Sequence, residues 1–370
     1  MKLSSKTRAV TVSAALASTL ALAACGAANE GSSDSSGSTS SEEQLSGTLN
    51  GAGSSAQQAA MQGWTAGYSA VQSGVTVNYD PVGSGGGREQ FLAGGVDFAG
   101  SDAALTDDEL SQAEETCGSS GVFELPDYIS AIAVVYNLPG VDDLNLSPAT
   151  LAGIFAGTIT TWDDAAIAAD NEGVDLPSTT ITPVHRADDS GTTKNFTDYL
   201  SKAAGDVWTS ELDGEWPLSG GEAANQTSGM ISAVQAGEGA IGYADESQAG
   251  DLGVANIAVG DEFVAPSPEA AAAVVEGSEL VSGRGDYDFA YEINRTTDNP
   301  DEYPIVLVSY HIGCVELSDA TQADLLKSFL GYVISEDGQQ AAADAAGNAP
   351  ISDALREQAQ TAVDAISSGS

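Results

Sequence analysis

Three stretches of this chain share one local pattern: an apolar run, then glycines with hydroxyl residues, then an amphipathic helical pattern. They are Gly51-Ala52-Gly53-Ser54-Ser55, Gly83-Ser84-Gly85-Gly86-Gly87, and Arg186-Ala187-Asp188-Asp189-Ser190-Gly191-Thr192-Thr193. A helix start carries four backbone N–H groups without intrahelical partners and the positive end of the helix dipole. Glycine lets that backbone approach a ligand closely. The chemistry this suits is the binding of a small anion. One such stretch alone is better read as a helix capped by Ser or Thr. Three in one chain, the third opening on an arginine, point to a shared anion.

Two other chemistries compete for the same residues. Gly51-x-Gly53-x-x-Ala56, with Asp80 after the next apolar run, fits a dinucleotide fingerprint. The export signal described below argues against it. Ser190 with His185 could be read as nucleophile and base of an exported hydrolase. However, the chain has only two histidines, His185 and His311, and neither has a triad or metal-ligand spacing. The acidic pairs Asp107-Asp108, Asp142-Asp143 and Asp163-Asp164 read as solvated turns in so acidic a chain. The expectation is therefore a binding protein, not an enzyme, with no metal and no cofactor.

The charge seems to oppose an anionic ligand. The 370 residues carry 54 Asp+Glu against 11 Lys+Arg, a formal net charge of −43. Nucleic acid is excluded as a partner, because phosphate backbones need clustered Lys and Arg. Docking on anionic lipid through a basic patch is excluded for the same reason. A buried site responds to its immediate donors, since distant charges are screened beyond roughly 8–10 Å in salt solution.

Residues 1–25 form a basic start (Lys2, Lys6, Arg8) followed by a small apolar run ending Leu22-Ala23-Ala24-Cys25. This reads as a secretory signal whose end resembles a bacterial lipobox, making Cys25 the lipidated first residue of the mature chain. Its acyl chains, palmitate among them, would suffice for stable anchoring. An ordinary cleaved signal that happens to contain a cysteine is the alternative. Processing would remove three cations and no acid, leaving eight cations against the 54 acids. Residues 26–45, rich in Gly, Ser and acids, read as a flexible tether with a reach of roughly 25 Å. The expected location is the outer face of a cell membrane, and the Ala-, Gly- and Asp-rich composition suggests a Gram-positive bacterium. The remaining cysteines, Cys117 and Cys314, are disulfide candidates in an exported protein, with two buried free thiols as the alternative.

The elements that must position these residues alternate. Residues 75–79, 97–99, 122–125, 129–136, 180–184, 240–243 and 305–310 read as strands. Ala60, Trp64, Tyr68 and Val71 form one apolar helical stripe, and Leu325, Leu326, Phe329, Leu330 and Val333 another. Strands alternating with helices predict α/β layers with mainly parallel sheets.

Over nearly the whole body the sequence resembles the phosphate-binding proteins of phosphate-specific ABC importers. The resemblance rests on Leu49-Asn50-Gly51-Ala52-Gly53, the second glycine loop at 83–87, Val96-Asp97-Phe98-Ala99-Gly100-Ser101-Asp102, and Ile154-Phe155-Ala156-Gly157 with Trp162-Asp163-Asp164. It rests further on Arg186-Ala187-Asp188-Asp189-Ser190-Gly191-Thr192, the most specific box, and Ala240-Ile241-Gly242-Tyr243. The resemblance implies an α/β periplasmic-binding-protein fold of the Venus-flytrap type II kind, a monomer that delivers phosphate to a membrane permease. Residues 46–128 with 280–370 would form domain I and residues 129–279 domain II.

The implied phosphate ligands are Ser55, Ala56 (through its backbone N–H), Ser84, Asp102, Arg186, Ser190, Gly191 and Thr192, with Asp188 holding Arg186. Asp102 would accept a proton borne by the ligand. That favours hydrogen phosphate over sulfate, which at neutral pH has no proton to give. Taken without the resemblance, Asp102 also reads as an acid capping the helix after Leu105-Thr106. Two positions depart from the family pattern: Ala56 stands where Phe is common, and Asp189 replaces a Gly, which would strain the backbone if φ is positive there. The alternative ligands are sulfate, molybdate or tungstate. An exported phosphohydrolase or a surface protein used in sensing or adhesion are the other readings.

Overall fold

The computed structural model describes residues 44–210 and 212–369. Cys25, the signal segment and most of the expected tether lie outside them. The body begins earlier than the composition suggests. Gln44 already donates to the Val71 carbonyl, and the Leu45 N–H to the Gln72 side chain.

One long mixed sheet organises the chain. Its strands are β1 (Ser46–Gly53), β2 (Gly74–Asp80), β3 (Phe98–Ser101), β4 (Val122–Tyr136), β5 (Thr182–Arg186), β6 (Glu222–Ala224), β7 (Ala240–Asp245) and β8 (Val306–Cys314). They lie in the order β2-β1-β3-β8-β4-β7-β5-β6, with the two-residue strand Gly253–Val254 added beside β4. The helices that bear on the site are α1 (Gln58–Val71), α2 (Ser84–Leu92), α3 (Asp107–Cys117), α4 (Gly191–Ala203) and α5 (Gln226–Ala236).

The expectation of mainly parallel sheets holds only at the flanks. β1 pairs in parallel with β2 and β3, and β5 with β6 and β7. The centre is antiparallel, where β8 pairs with β3 and β4, and β4 with β7. Each parallel flank is a strand–helix–strand unit, and the antiparallel strands join the two flanks.

β4 is the connecting element. The two strands expected at 122–125 and 129–136 are one strand of 15 residues, buried from Phe123 onward. Pro126 suggests a break, because proline lacks the N–H a ladder needs. The structure accommodates it at a register shift opposite Ser309 and Tyr310. The first part of β4 pairs with β8, from Val122 with Cys314 to Ala131 with Val306. The last part, Ile132 to Tyr136, pairs with β7. Cys117, at the end of α3, and Cys314, at the end of β8, are joined as a disulfide across 197 residues.

Two glycines of the dinucleotide-like stretch are explained by packing. A Cβ at Gly51 would lie 2.2 Å from the Phe98 ring, and one at Gly53 only 1.8 Å from the Gly100 carbonyl oxygen. Their role is to let β1 lie against β3.

Candidate functional site

The first two helix starts and the end of β3 meet on one side of the sheet centre. The turn after β1 places Ser54 and Ser55, both buried. Ser54 Oγ accepts from the N–H groups of Ala56 and Gln57 at 3.1 and 3.2 Å. The Ala56 N–H, expected to face a ligand, is therefore engaged within its own turn. Gly83 adopts φ 100° and opens α2. Ser84 Oγ accepts from the Asp102 N–H at 3.1 Å, which ties the second glycine loop to the end of β3.

The third helix start comes from the other flank. β5 ends at Arg186, and Ser190 caps α4 through its hydroxyl, which accepts from the Thr193 N–H. Capping is thus realised at Ser190, which fixes the start of α4 and aims the backbone that follows it. Ser54 instead closes the turn ahead of α1, whose N-cap Gln57 makes no side-chain cap bond.

These pieces close on one another. Arg186 Nη2 donates to Ser55 Oγ at 3.2 Å across 131 residues of sequence. Thr192 Oγ1 donates to Asp102 Oδ2 at 3.1 Å. A Cβ on Gly191 would lie 2.6 Å from Ser84 Oγ and 2.8 Å from Asp102 Cβ, so only glycine fits there. Ser55, Ser84, Asp102, Arg186, Ser190 and Thr192 are all at most 3% exposed. The expected residues therefore converge in a dry setting, where charge-assisted hydrogen bonds are strong.

Arg186 is paired with Asp188. Nε donates to Oδ1 at 2.8 Å, and Nη2 makes a second, short contact to Oδ2. Asp188 Oδ1 also accepts from the Gln226 N–H at 2.9 Å. Gln226 has φ 58°, the one positive value among the described non-glycine residues. Such a conformation persists where neighbours over-determine it. Asp189 does not share it, so its replacement of glycine brings no backbone strain. Its side chain lies against Gly85, where a Cβ would come within 2.1 Å of its carboxyl carbon. Its Oδ2 is 3.6 Å from Arg88 Nη2. Burial raises its pKa, and the Arg88 charge opposes that rise.

Sequence reasoning missed four participants. Thr227, at the start of α5, donates its N–H to Ser55 Oγ at 3.0 Å and has its hydroxyl 3.0 Å away. Ser309 on β8 donates to Asp102 Oδ1 in a short contact. Asn195 donates to the Asp102 carbonyl at 2.6 Å. The Tyr243 hydroxyl accepts from the Arg186 N–H at 3.2 Å and lies 2.8 Å from Thr193 Oγ1. Asn225-Gln226-Thr227 is a fourth strand-to-helix junction, but it has no glycine to mark it. Ser309 sits mid-strand, with no local signal at all.

The competing chemistries do not assemble. His185 Nδ1 lies 2.9 Å from the Arg186 carbonyl, and the ring stacks on Trp216 with centroids 5.0 Å apart. Ser190 is committed to its cap. Asp102 caps no helix, since Thr106 and Glu109 form the capping box of α3. Asp107 and Asp108 occupy the first turn of that helix, and Asp164 caps the helix Ala165–Asp170.

Comparison with known proteins gives a consistent picture. Residues 38–337 match the family profile described as a PBP superfamily domain. The phosphate-binding protein PstS 3 of Mycobacterium tuberculosis is 38% identical over 302 residues, covering 79% of this chain and 80% of the relative. Its counterpart in Mycobacterium leprae is 36% identical over 297 residues, with the same coverage. Among solved structures, a high-affinity periplasmic phosphate-binding protein with bound phosphate superposes with a TM-score of 0.71 at 24% identity. It covers 85% of this chain and 93% of that one. The phosphate-binding protein of Stenotrophomonas maltophilia gives 0.63 at 21% identity, covering 85% and 94%.

Proposed function

This chain belongs to the family of phosphate-binding proteins, and we propose that it captures inorganic phosphate outside the cell and delivers it to the permease of a phosphate ABC importer. It is a binding protein and not an enzyme; its ligand is phosphate and it needs no cofactor. The observation that carries this reading is the closure of Arg186, Thr192 and Gly191 from one flank onto Ser55, Ser84 and Asp102 from the other. Helix starts, hydroxyls and a permanently charged guanidinium supply donors to an oxyanion. Asp102 supplies the opposite, an acceptor already held by Thr192 and Ser309. An ionised carboxylate beside an anion is favourable only when the ligand brings a proton. Hydrogen phosphate does, and sulfate at neutral pH does not.

In this reading Ser55, Ser84, Arg186, Ser190, Gly191 and Thr192 donate to phosphate. The Ala56 N–H joins them only if it leaves Ser54, and Asp188 orients Arg186. Residues 46–128 with 280–370 and residues 129–279 act as two lobes. β4 is the strand that crosses between them, with β8 of the first lobe paired along it, and it bends as the cleft opens and shuts. Cys25 carries the lipid that keeps the body at the outer face of the membrane of a Gram-positive cell, next to the permease. Calorimetry with phosphate, arsenate and sulfate tests the ligand. Tight phosphate and arsenate binding with no sulfate signal is expected. Equal binding of sulfate would sink the reading.

A further inference from the structure

Beside Asp102 lies a half-open cavity of about 280 Å³ whose walls include Lys194, Asn195, Lys202, Arg284 and Arg295. Outside residues 1–25 the sequence has eight cations, and four of them line this one cavity. In a chain with 54 acids that concentration is the least expected feature of the surface.

Three of the four cations have structural employment. Arg284 is paired with Glu124 and Asp288 and donates to the Leu105 carbonyl. Arg295 is paired with Asp198 and donates to the carbonyls of Pro304 and Val306. Lys202 reaches Asp198 at 3.4 Å and Glu292 at 3.8 Å. Lys194 has no ion-pair or side-chain hydrogen-bond partner among the described residues. Glu109, Asp189 and Asp213 act on it only at longer range, and burial with the nearby Arg88 charge lowers its pKa.

Its position is unfavourable for a second reason. Lys194 closes the first turn of α4, where the helix dipole is positive and a cation is destabilising. A half-buried, unpaired lysine at the positive end of a helix has a cost and no structural return. An anion between Lys194 and the inner site would offset both penalties.

We propose that Lys194 forms an outer subsite for phosphate, where the incoming anion is captured before it passes Asp102 and Thr192 into the closed cleft. The inference rests on the phosphate-binding reading and adds a kinetic step to it. A chain this acidic repels phosphate at long range, which slows encounter. A local cation at the cavity restores the association rate without taking part in the final grip.

The test is rapid mixing of the full chain with inorganic phosphate, followed by tryptophan fluorescence at low and high ionic strength. Lys194→Ala should slow association about three- to tenfold at low salt, and Lys194→Glu more. Dissociation should stay within about twofold, and Lys194→Arg should restore most of the rate. Thermal melts check that each variant is folded. An unchanged association rate in Lys194→Glu, with normal wild-type affinity, would overturn this inference alone. A loss confined to dissociation would overturn it too, by making Lys194 part of the inner grip. Absence of phosphate binding by the wild type would instead remove the functional reading beneath it.

Discussion

Thr192 gives its hydroxyl proton to Asp102 Oδ2 at 3.1 Å, joining the start of α4 to the residue just beyond β3 across 90 positions of sequence. With Ser309 on the other oxygen, Asp102 is fixed as an acceptor inside a dry cleft. Asp102→Asn replaces one acceptor oxygen with a donor. Phosphate affinity should fall by about 2 kcal/mol, roughly thirtyfold, as expected for a hydrogen bond to a charged group. Sulfate binding should appear in the same variant. Competitive calorimetry reads both, and retained sulfate rejection would remove Asp102 from the selectivity mechanism.

Arg186 and Asp188 form a forked pair at the heart of the site. Arg186→Ala removes the charged donor and leaves Asp188 without its cation. Phosphate affinity should drop by more than about a hundredfold, in line with truncation of one partner of a buried charge pair. Arg186→Lys should recover only part, because an ammonium cannot present the planar fork.

Asp189 offers a cross-cleft contact to Gly85 and Arg88 that glycine at the same position would lack. Asp189→Gly should speed phosphate release, by up to about fivefold if the contact contributes about 1 kcal/mol to the closed form. Global stability should change little. Stopped-flow dissociation checks this, and an unchanged release rate would reduce the contact to a bystander.

The Cys117–Cys314 bond closes a loop of 197 residues between α3 and β8. Replacing both by serine should lower unfolding stability by about 2–5 kcal/mol, the range for native disulfides in exported proteins. Denaturant titration measures the loss, and intact mass after alkylation with and without reductant checks the bond itself.

Asp245 is wholly buried on β7, accepts from the Tyr128 hydroxyl, and has its pKa pushed up by burial to about 7. Between about pH 4 and 7 the unfolded chain therefore releases this proton while the native chain keeps it. The unfolded state then binds fewer protons, so this group lowers stability as pH rises through that window. The effect levels off above about pH 7. Denaturation at pH 4.5 and pH 7.5 should show a smaller decline in Asp245→Asn than in the wild type.

The local layer of this molecule was legible without coordinates. The apolar run at residues 75–79 marked β2, which the structure extends to Gly74–Asp80, and the stripe through Trp64 and Tyr68 marked α1. The Arg186–Thr192 box and the Asp102 segment were recognisable because their spacing is local. Pro126 misled the reading of β4, since nothing nearby in sequence reveals that a register shift against Ser309 and Tyr310, with Asp127 the extra residue on β4, absorbs it. Thr227 and Ser309 were invisible for a related reason. Their partners Ser55 and Asp102 lie 172 and 207 residues away, and neither sits in a glycine-marked turn.

The sequence by itself determined which segments could receive an anion, because helix starts, glycines and hydroxyls act over a few residues through backbone geometry. It also set the overall acidity that makes every cation informative. Only the tertiary structure decided that these segments face one another, that Asp102 is held as an acceptor, and that Lys194 is left unpaired among the described residues. Those outcomes depend on the strand order β3-β8-β4-β7, which carries two distant flanks into contact. Pairings across more than a hundred residues depend on which surfaces the whole chain buries together, and no local pattern encodes that choice.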